Sequence, residues 1–158
     1  MAKEIERKFL VTWELADIIE EHLRYNDVPE MFSIKQGILS DKPQVRVRVY
    51  PIRKSAKLTV KGPREGITRD EFEYKIPFED GQKMLALCKI VTKKTRYNIL
   101  YGGRVWELDA YHGVNEGFLT AETEFTFDGE KFESPPWLGA DVTNDVRYTN
   151  SKLATTKV

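Results

Sequence analysis

Residues 44–50 read Gln-Val-Arg-Val-Arg-Val-Tyr, with valine and arginine in strict alternation. Successive side chains of a β-strand point to opposite faces, so Arg46 and Arg48 share one face while the three valines take the other. A period of two residues predicts a strand here, because an amphipathic helix repeats every three to four residues. One face of this strand is therefore apolar and the other is strongly basic.

Seven further stretches alternate in the same way and predict strands. They are residues 3–11, 32–39, 56–61, 69–76, 93–100, 104–111 and 121–127. Gly62-Pro63 ends one of these runs, and Gly102-Gly103 separates two of them as a hairpin turn.

Three segments have helical patterns. The first is 13–25 with Thr12 as its N-cap, the second opens at Asp80-Gly81, and the third is a short helix at 149–155. The sequence therefore predicts an α+β fold with an eight-stranded antiparallel β-barrel and a few helices packed outside it.

Composition narrows the possible functions. The chain has 158 residues, which suits one domain, and we expect residues 1–158 to form it. Its 25 basic and 25 acidic residues cancel, which argues against a non-specific DNA binder. One cysteine and two histidines exclude a disulfide framework and disfavour a zinc site. With no apolar run near the ~20 residues of a membrane span and no signal peptide, we expect a cytoplasmic protein.

The polar positions of the predicted strands are mostly charged. The groups that share a face are Glu4, Glu6 and Lys8; Arg46 and Arg48; Lys57 and Lys61; Arg69, Glu71, Glu73 and Lys75; Lys94 and Arg96; Glu107 and Asp109; Glu122 and Glu124. A sheet with one solvated face also alternates, and for any single strand this is the simpler interpretation. Solvated faces usually include Thr, Ser and Gln, however, whereas like charges recur here at i and i+2 and repel unless a counter-charge lies between them.

We therefore predict a closed sheet with its charged face inward and its apolar face outward under the helices. A water-filled interior avoids the cost of burying bare charges. Arginine forks and lysines suit phosphate groups, and carboxylates without histidine or cysteine suit Mg²⁺ or Mn²⁺. The residue types thus predict a chamber for a metal–polyphosphate complex. The chain lacks a Gly-x-x-x-x-Gly-Lys-Ser/Thr loop and a Gly-x-Ser-x-Gly motif, so chemistry would depend on positioning, charge stabilisation and metal-activated water.

The run Glu4-Ile5-Glu6-Arg7-Lys8 matches the Glu-x-Glu-x-Lys signature of the CYTH superfamily, the triphosphate tunnel metalloenzymes. The other family marks follow in order along nearly the whole chain. They are Val-Arg-Val-Arg at 45–48, Leu-Thr-Val-Lys-Gly at 58–62, Arg-x-Glu-x-Glu at 69–73, Lys-x-Arg-Tyr at 94–97, Trp-Glu-Leu-Asp-x-Tyr-x-Gly at 106–113, Ala-Glu-x-Glu at 121–124 and Tyr-x-Asn-x-x-Leu-Ala at 148–154. The chain is most similar to the small bacterial inorganic triphosphatases of that family.

The resemblance implies a tunnel that holds a triphosphate with the help of Mg²⁺ or Mn²⁺. The substrate-binding residues that it implies are Lys8, Arg46, Arg48, Lys61, Arg69, Lys94, Arg96 and Lys152. The main metal would lie on Glu4, Glu6 and Glu124, with Asp109 and Glu122 close by. Lys8, Glu6 and Glu122 would take part in catalysis, with Lys8 on the phosphate that is transferred.

The activity expected from this resemblance is hydrolysis of tripolyphosphate to pyrophosphate and phosphate. A class IV adenylate cyclase and a thiamine or nucleoside triphosphatase are the alternatives within the fold. Cyclases carry a His-Phe-x-x-Arg pattern, and neither His22 nor His112 is followed by phenylalanine. A non-catalytic polyphosphate-binding module is the alternative of another class, but a polyanion grip alone would not need the carboxylates. The expected partner is a small triphosphate, neither DNA nor membrane, and the sequence leaves a homodimer open.

A few charged or polar residues receive a structural role instead. Arg7 has the parity of the outer face, and Glu107 is expected to pair with a neighbouring lysine or arginine. Arg53 follows Pro51 and is expected in a solvated turn, while His22 and His112 are expected at the surface.

Overall fold

The structure is a computed structural model and describes residues 3–158, with the side chain of Glu4 outside the described part. The strands are β1 (Lys3–Val11), β2 (Glu30–Ser40), β3 (Gln44–Tyr50), β4 (Ser55–Lys61), β5 (Thr68–Ile76), β6 (Val91–Tyr101), β7 (Arg104–Tyr111), β8 (Leu119–Glu124) and β9 (Leu138–Asp141). The helices are α1 (Leu15–Leu23), α2 (Phe78–Ala86) and α3 (Asn150–Thr155), and a 3-10 turn at Val146–Tyr148 precedes α3.

Strands β1 to β8 close into an antiparallel barrel in the order β1-β8-β7-β6-β2-β3-β4-β5. The barrel closes because β1 pairs with β8 along one edge and Lys3–Ile5 pair with Thr68–Asp70 of β5 along the other. Beyond the point where β5 leaves, Phe9 and Val11 pair with β9 instead. The predicted eight-stranded barrel is confirmed. Strand β9 was not predicted, because four residues are too short for an alternating pattern.

The main hydrophobic core lies outside the barrel, between α1 and the outward faces of β1, β6, β7 and β8. Trp106 and Leu108 of β7 and Ile18 of α1 are fully buried there. The Trp106 ring meets the rings of Phe9 and Trp137 edge to face, each with centroids 5.8 Å apart. Burial of such large aromatic rings contributes much of the core energy. The predicted apolar exterior under a helix is thereby confirmed for this half of the barrel.

Helix α2 covers the outer faces of β3 and β4. Its Gly81 sits against the sheet, and a Cβ atom at this position would come within 2.5 Å of the Ala56 Cβ. Glycine is therefore required for the close approach of helix and sheet. The covering ends at β5, where the outward side chains of Phe72 and Tyr74 are 43% and 61% exposed.

Two predicted helix starts are wrong. Helix α1 begins at Leu15 rather than after Thr12, because the Thr12 N–H donates to the Trp137 carbonyl at 2.9 Å and extends the strand pairing. Helix α2 begins at Phe78, directly after Pro77, whose carbonyl accepts from Gly81 at 3.0 Å. The first N–H groups of a helix have no acceptor within the helix, so the missing N–H of proline breaks no helical hydrogen bond at this position.

Three other predictions have clear outcomes. The Gly102-Gly103 hairpin is confirmed, and both residues have the positive φ angles, 60° and 69°, that such turns need. The last predicted strand ends at Glu124 instead of residue 127. The Phe125 N–H still donates to the Ile5 carbonyl of β1 at 2.8 Å, but the Thr126 N–H donates to the Glu130 side chain at 2.9 Å. His22 is buried rather than at the surface. None of the described helices has the length and apolar character needed to cross a membrane.

Candidate active site

A cavity of about 500 Å³ lies inside the barrel, and inward side chains of all eight barrel strands line it. Among the described side chains its lining has ten lysines or arginines and seven glutamates or aspartates. The basic residues are Lys8, Arg46, Arg48, Arg53, Lys57, Lys61, Arg64, Arg69, Lys94 and Arg96. The acidic residues are Glu6, Glu71, Glu73, Glu107, Glu122, Glu124 and Asp145. The excess of positive charge suits an anionic ligand.

An ion cluster, consisting of Lys94, Arg96 and Asp109, joins β6 to β7. Lys94 Nζ donates to Asp109 Oδ2 at 2.7 Å, and Arg96 donates from Nε to Oδ1 at 2.7 Å and from Nη2 to Oδ2 at 2.9 Å. Burial alone would raise the pKa of Asp109, but the nearby charges of Arg96 and Lys94 outweigh it and hold the pKa far below its usual range. Asp109 is thus a fully buried carboxylate between two cations.

The ion cluster bears on two predicted roles. Arg96 Nη1 also donates to Glu107 at 2.9 Å, which confirms that Glu107 pairs with a neighbouring cation. Asp109 is absent from the cavity lining and has both carboxylate oxygens engaged by Lys94 and Arg96. Asp109 therefore lies behind the two basic residues that face the cavity, and its predicted place near the metal stays a prediction.

Lys8 and Glu122 form a second charged pair, between β1 and β8. Lys8 Nζ donates to the Tyr148 carbonyl at 2.8 Å and lies 3.7 Å from Glu122 Oε1. Burial lowers the pKa of Lys8, but the electrostatic interactions with Tyr111, Glu122 and Asp109 outweigh it, and the pKa is raised. Burial would raise the pKa of Glu122, yet Lys8 and Lys94 lower it to about 2. Both groups are therefore charged at neutral pH.

The start of α3 reaches into the barrel through Asn150. Its Oδ1 accepts from the Tyr111 hydroxyl at 2.7 Å and from Lys94 Nζ at 3.3 Å, and its carbonyl accepts from Thr92 at 3.1 Å. Burial raises the pKa of Tyr111 to about 12, so the phenol remains a donor. Lys152, in the same helix, is exposed and absent from the cavity lining. The structure therefore brings Asn150, rather than Lys152, to the predicted site.

On the opposite wall, most basic residues are held by neighbouring strands. Arg48 Nε donates to the buried Gln36 Oε1 at 2.8 Å, and Arg69 Nε donates to the Gly62 carbonyl at 3.1 Å. Lys61 lies 3.4 Å from Glu71 Oε2. Gln36 was not among the predicted site residues, and it lies on the inward face of β2 opposite Arg48.

The inward face of β2 is otherwise apolar. Phe32, Ile34 and Ile38 line the cavity beside Gln36. The barrel interior is therefore charged on seven strands and largely apolar on the eighth. Gln36 pairs directly with Arg48 of β3. Because Arg48 points inward, this register identifies Phe32, Ile34, Gln36 and Ile38 as the inward residues of β2.

Glu6 and Glu124 are direct partners in the register of β1 and β8, and both line the cavity. Glu122 lies two residues from Glu124 on the same face, whereas the Glu4 side chain is outside the described part. Among the described residues, no three of His, Cys, Asp and Glu come together as a ready-made metal site. Mg²⁺ is usually held by one or two carboxylates together with substrate phosphates and water. The Glu6–Glu124 pair therefore fits a divalent cation that arrives with a phosphate ligand.

A closed antiparallel barrel with a charged, cation-rich interior and an apolar exterior defines a tunnel protein for a polyanion. The chain matches the CYTH domain over residues 2–156, and it belongs to this family.

Named relatives cover almost the whole chain. An inorganic triphosphatase of Acetivibrio thermocellus is 40% identical over 157 residues, which are 97% of this chain and 94% of the relative. An inorganic triphosphatase of Nitrosomonas europaea is 32% identical over 166 residues, with 96% of each chain covered. The solved crystal structure of an inorganic triphosphatase matches with a TM-score of 0.62 at 28% identity, covering 96% of this chain and 97% of that one.

Proposed function

We propose that this chain is an enzyme that hydrolyses inorganic triphosphate to pyrophosphate and phosphate inside the barrel. The observation that carries the proposal is the position of Lys8, a largely buried cation that lines the cavity together with the carboxylates Glu6, Glu122 and Glu124. A binding site for a polyanion alone would need only the cations. Two relatives named inorganic triphosphatase, at 40% and 32% identity, support the same activity.

The basic residues of the cavity would hold the phosphate groups. We assign this role to Lys8, Arg46, Arg48, Lys61, Arg69, Lys94 and Arg96, all of which line the cavity. Asp109 fixes the positions of Lys94 and Arg96, so both donors are already oriented when negative charge develops on the breaking bond. Such preorganised charge is usually the largest contribution to catalysis of this type. Lys152 is exposed on α3 and absent from the cavity lining, so a phosphate contact for it stays a prediction from the resemblance alone.

The carboxylates would hold the metal and orient the reacting end of the substrate. We assign the metal to Glu4, Glu6 and Glu124, with Glu122 next to it, and either Mg²⁺ or Mn²⁺ suits these oxygen ligands. A divalent ion bound there would neutralise phosphate charge and lower the pKa of a bound water. Glu122 keeps Lys8 charged beside the phosphate that is transferred. Asp109 orients Lys94 and Arg96 and does not bind the metal in this proposal.

Several expectations remain predictions. They concern the choice between Mg²⁺ and Mn²⁺, turnover of ATP or thiamine triphosphate, cyclase activity, a homodimer, a cytoplasmic location and the single-domain extent of 1–158. The presence of the carboxylates in the cavity disfavours the non-catalytic polyphosphate-binding module.

Phosphate release tests the activity directly. Tripolyphosphate, ATP and thiamine triphosphate are each incubated with the protein and Mg²⁺ or Mn²⁺, and products are separated by ion exchange. We expect the highest kcat/KM with tripolyphosphate, and equal amounts of phosphate and pyrophosphate. A cyclic nucleotide formed from ATP as the main product would contradict the proposal. Binding of tripolyphosphate without metal-dependent turnover would identify a binding module instead.

Substitution of the carboxylate pair tests the metal assignment. Glu6→Gln and Glu124→Gln should each reduce apparent metal affinity by about 10- to 100-fold, as loss of a group at a metal centre typically does. Glu79→Gln is the matched control, since Glu79 is exposed on α2 and absent from the cavity lining. The assignment is wrong if either cavity variant keeps the wild-type dependence of rate on metal concentration.

A further inference from the structure

The end of the barrel opposite α3 carries a cluster that the phosphate assignments do not use. This tunnel mouth consists of Glu30, Phe32, Tyr50, Arg53 and Asn98. Phe32, Tyr50, Arg53 and Asn98 line the cavity, and Asn98 Nδ2 donates to Glu30 Oε1 at 3.0 Å. Along β6 the mouth begins six residues beyond Thr92, which contacts α3, so the two ends are about 20 Å apart.

Arg53, in the turn between β3 and β4, is the cation of the tunnel mouth. Its guanidinium lies over the Phe32 ring, 4.0 Å from the centroid, and Phe32 in turn meets Tyr50 edge to face at 6.0 Å. Arg53 Nη2 is 3.6 Å from Glu30 Oε2 and donates to the Met31 carbonyl at 3.5 Å. The expected solvated turn therefore places this arginine on an aromatic platform at the opening of the cavity.

The contacts of Arg53 orient its guanidinium but leave it able to exchange partners. Its side chain is 48% exposed and that of Glu30 is 55% exposed, so their ion pair is worth little. Stacking on Phe32 fixes the plane of the guanidinium and leaves N–H groups free to point toward an anion. The arginines deeper in the barrel differ, because Arg48 and Arg96 are buried and bonded to neighbouring strands.

We propose that Arg53 is a substrate-binding residue at the tunnel mouth, which captures an incoming linear polyphosphate by exchanging Glu30 for phosphate oxygens. The inference rests on the proposed function for its substrate. An arginine fork can bind phosphate oxygens in pairs, whereas its contact with Glu30 is a single solvent-exposed pair at 3.6 Å. Glu30, held by Asn98, competes with the phosphate for Arg53 and favours release.

The test compares KM and kcat for tripolyphosphate in substitutions of the mouth. Arg53→Ala should raise KM about three- to tenfold and leave kcat within about twofold, as expected for one partly exposed charged contact. Arg53→Lys, which keeps the charge but loses the fork, should be intermediate. Glu30→Gln keeps an acceptor for Asn98 but removes the competing charge, so it should lower KM about twofold.

Lys54→Asn is the matched control. Lys54 is the next residue of the same turn, is absent from the cavity lining and has a φ of 50°, which asparagine tolerates. It removes the same charge from the turn, and its KM should equal that of the wild type. An increase in KM like that of Arg53→Ala would show a general charge effect and overturn the proposal. So would an Arg53→Ala variant with reduced kcat and unchanged KM.

Equilibrium binding of tripolyphosphate separates this inference from the proposed function. If the wild type binds tripolyphosphate but does not hydrolyse it, the proposed function fails, and a three- to tenfold weaker Kd of Arg53→Ala still supports the role of Arg53. If the wild type hydrolyses tripolyphosphate and Arg53→Ala binds it with wild-type Kd, the proposed function stands and the role of Arg53 is overturned.

Discussion

The ion cluster of β6 and β7 and the ion pair of β4 and β5 both join opposite charges of adjacent strands inside the barrel, but they differ in their exposure to water. In the ion cluster, Asp109 is 0% exposed and holds Lys94 and Arg96 at 2.7 Å. In the ion pair, Lys57 lies 3.2 Å from Glu73, and both side chains are 35% exposed. Each joins charged side chains of adjacent strands, but only the ion cluster is removed from water.

This difference in burial decides what each group of charges can do. Breaking a buried ion pair leaves an unpaired charge in a medium that solvates it poorly, whereas an exposed pair is replaced by water at little cost. The ion cluster is therefore a fixed part of the wall, while Lys57 can leave Glu73 when a phosphate arrives. The tunnel thus combines a preorganised ion cluster with one exposed ion pair, Lys57–Glu73, whose partners can separate at little cost.

Removal of the cluster carboxylate should have the largest effect. Asp109→Asn leaves Lys94 and Arg96 buried without their counter-charge, and we expect the free energy of unfolding to fall by about 3–5 kcal/mol. The measurement is urea denaturation followed by circular dichroism. The matched variant in the exposed pair is Glu73→Gln, which should cost less than about 1 kcal/mol.

The same pair of variants decides between two roles of Asp109. If Asp109→Asn kept wild-type stability but required more metal for activity, Asp109 would be a metal ligand, as the sequence resemblance implied. Equal stability losses for Asp109→Asn and Glu73→Gln would show that burial does not distinguish the two groups.

The two buried lysines should respond differently to pH. Burial, with Arg96 and Arg48 nearby, lowers the pKa of Lys94 to about 7 despite Asp109, whereas the pKa of Lys8 is raised. A bound triphosphate favours the charged amine, so kcat/KM should fall by up to about tenfold per pH unit above pH 7. Lys94→Arg stays charged and should lose this fall, while Lys8→Arg should keep it. Identical profiles of wild type and Lys94→Arg between pH 7 and 9 would contradict the assignment.

Folding stability should change with pH in the opposite direction. Because the pKa of Lys94 is lower in the folded protein than its ordinary 10.5, the unfolded chain binds more protons between pH 7 and 10.5. The contribution of Lys94 to stability therefore rises with pH across this window. Thermal unfolding of wild type and Lys94→Arg at pH 7 and pH 9 measures the difference, and a smaller pH-dependent gain is expected in the variant.

Loss of the neutral partner of Arg48 should have an intermediate effect. Gln36→Leu removes the acceptor 2.8 Å from Arg48 Nε and leaves the guanidinium to find its own orientation. We expect KM for tripolyphosphate to rise about fivefold, which corresponds to about 1 kcal/mol, the typical net value of one hydrogen bond. Ile38→Leu, on the same face of β2, is the control. An unchanged KM in Gln36→Leu would show that β3 alone orients Arg48.

Strand parity predicted the closed barrel and the inward side of nearly every charged residue. It did so because the alternation of side chains between the two faces of a strand depends only on the local sequence. Once seven strands have a charged face, a closed barrel that encloses those faces is the arrangement to expect. Parity cannot predict which inward charges meet, since Gln36 and Arg48 become neighbours only through the register of β2 and β3. Parity of the strands also says nothing about Lys152, which lies exposed on helix α3, outside the cavity lining. His22 was misplaced although the signal was present, as it lies four residues after Ile18 on the buried face of α1.

Lys57→Met should have the smallest effect and tests whether the ion pair can adjust. Lys57 Nζ donates to Glu73 Oε1 at 3.2 Å, and Thr59 donates to Glu73 Oε2 at 3.4 Å, so Glu73 keeps one partner after the substitution. Burial would raise the pKa of Glu73, but the hydrogen bond and charge of Lys57 keep it lowered. Removing Lys57 should therefore raise the pKa of Glu73 and increase KM about twofold, with the free energy of unfolding changed by less than about 1 kcal/mol.

Isothermal calorimetry at low and high salt measures the binding difference, which should shrink as salt screens the exposed charge. A loss of stability as large as that of Asp109→Asn would show that the ion pair and the ion cluster do not differ.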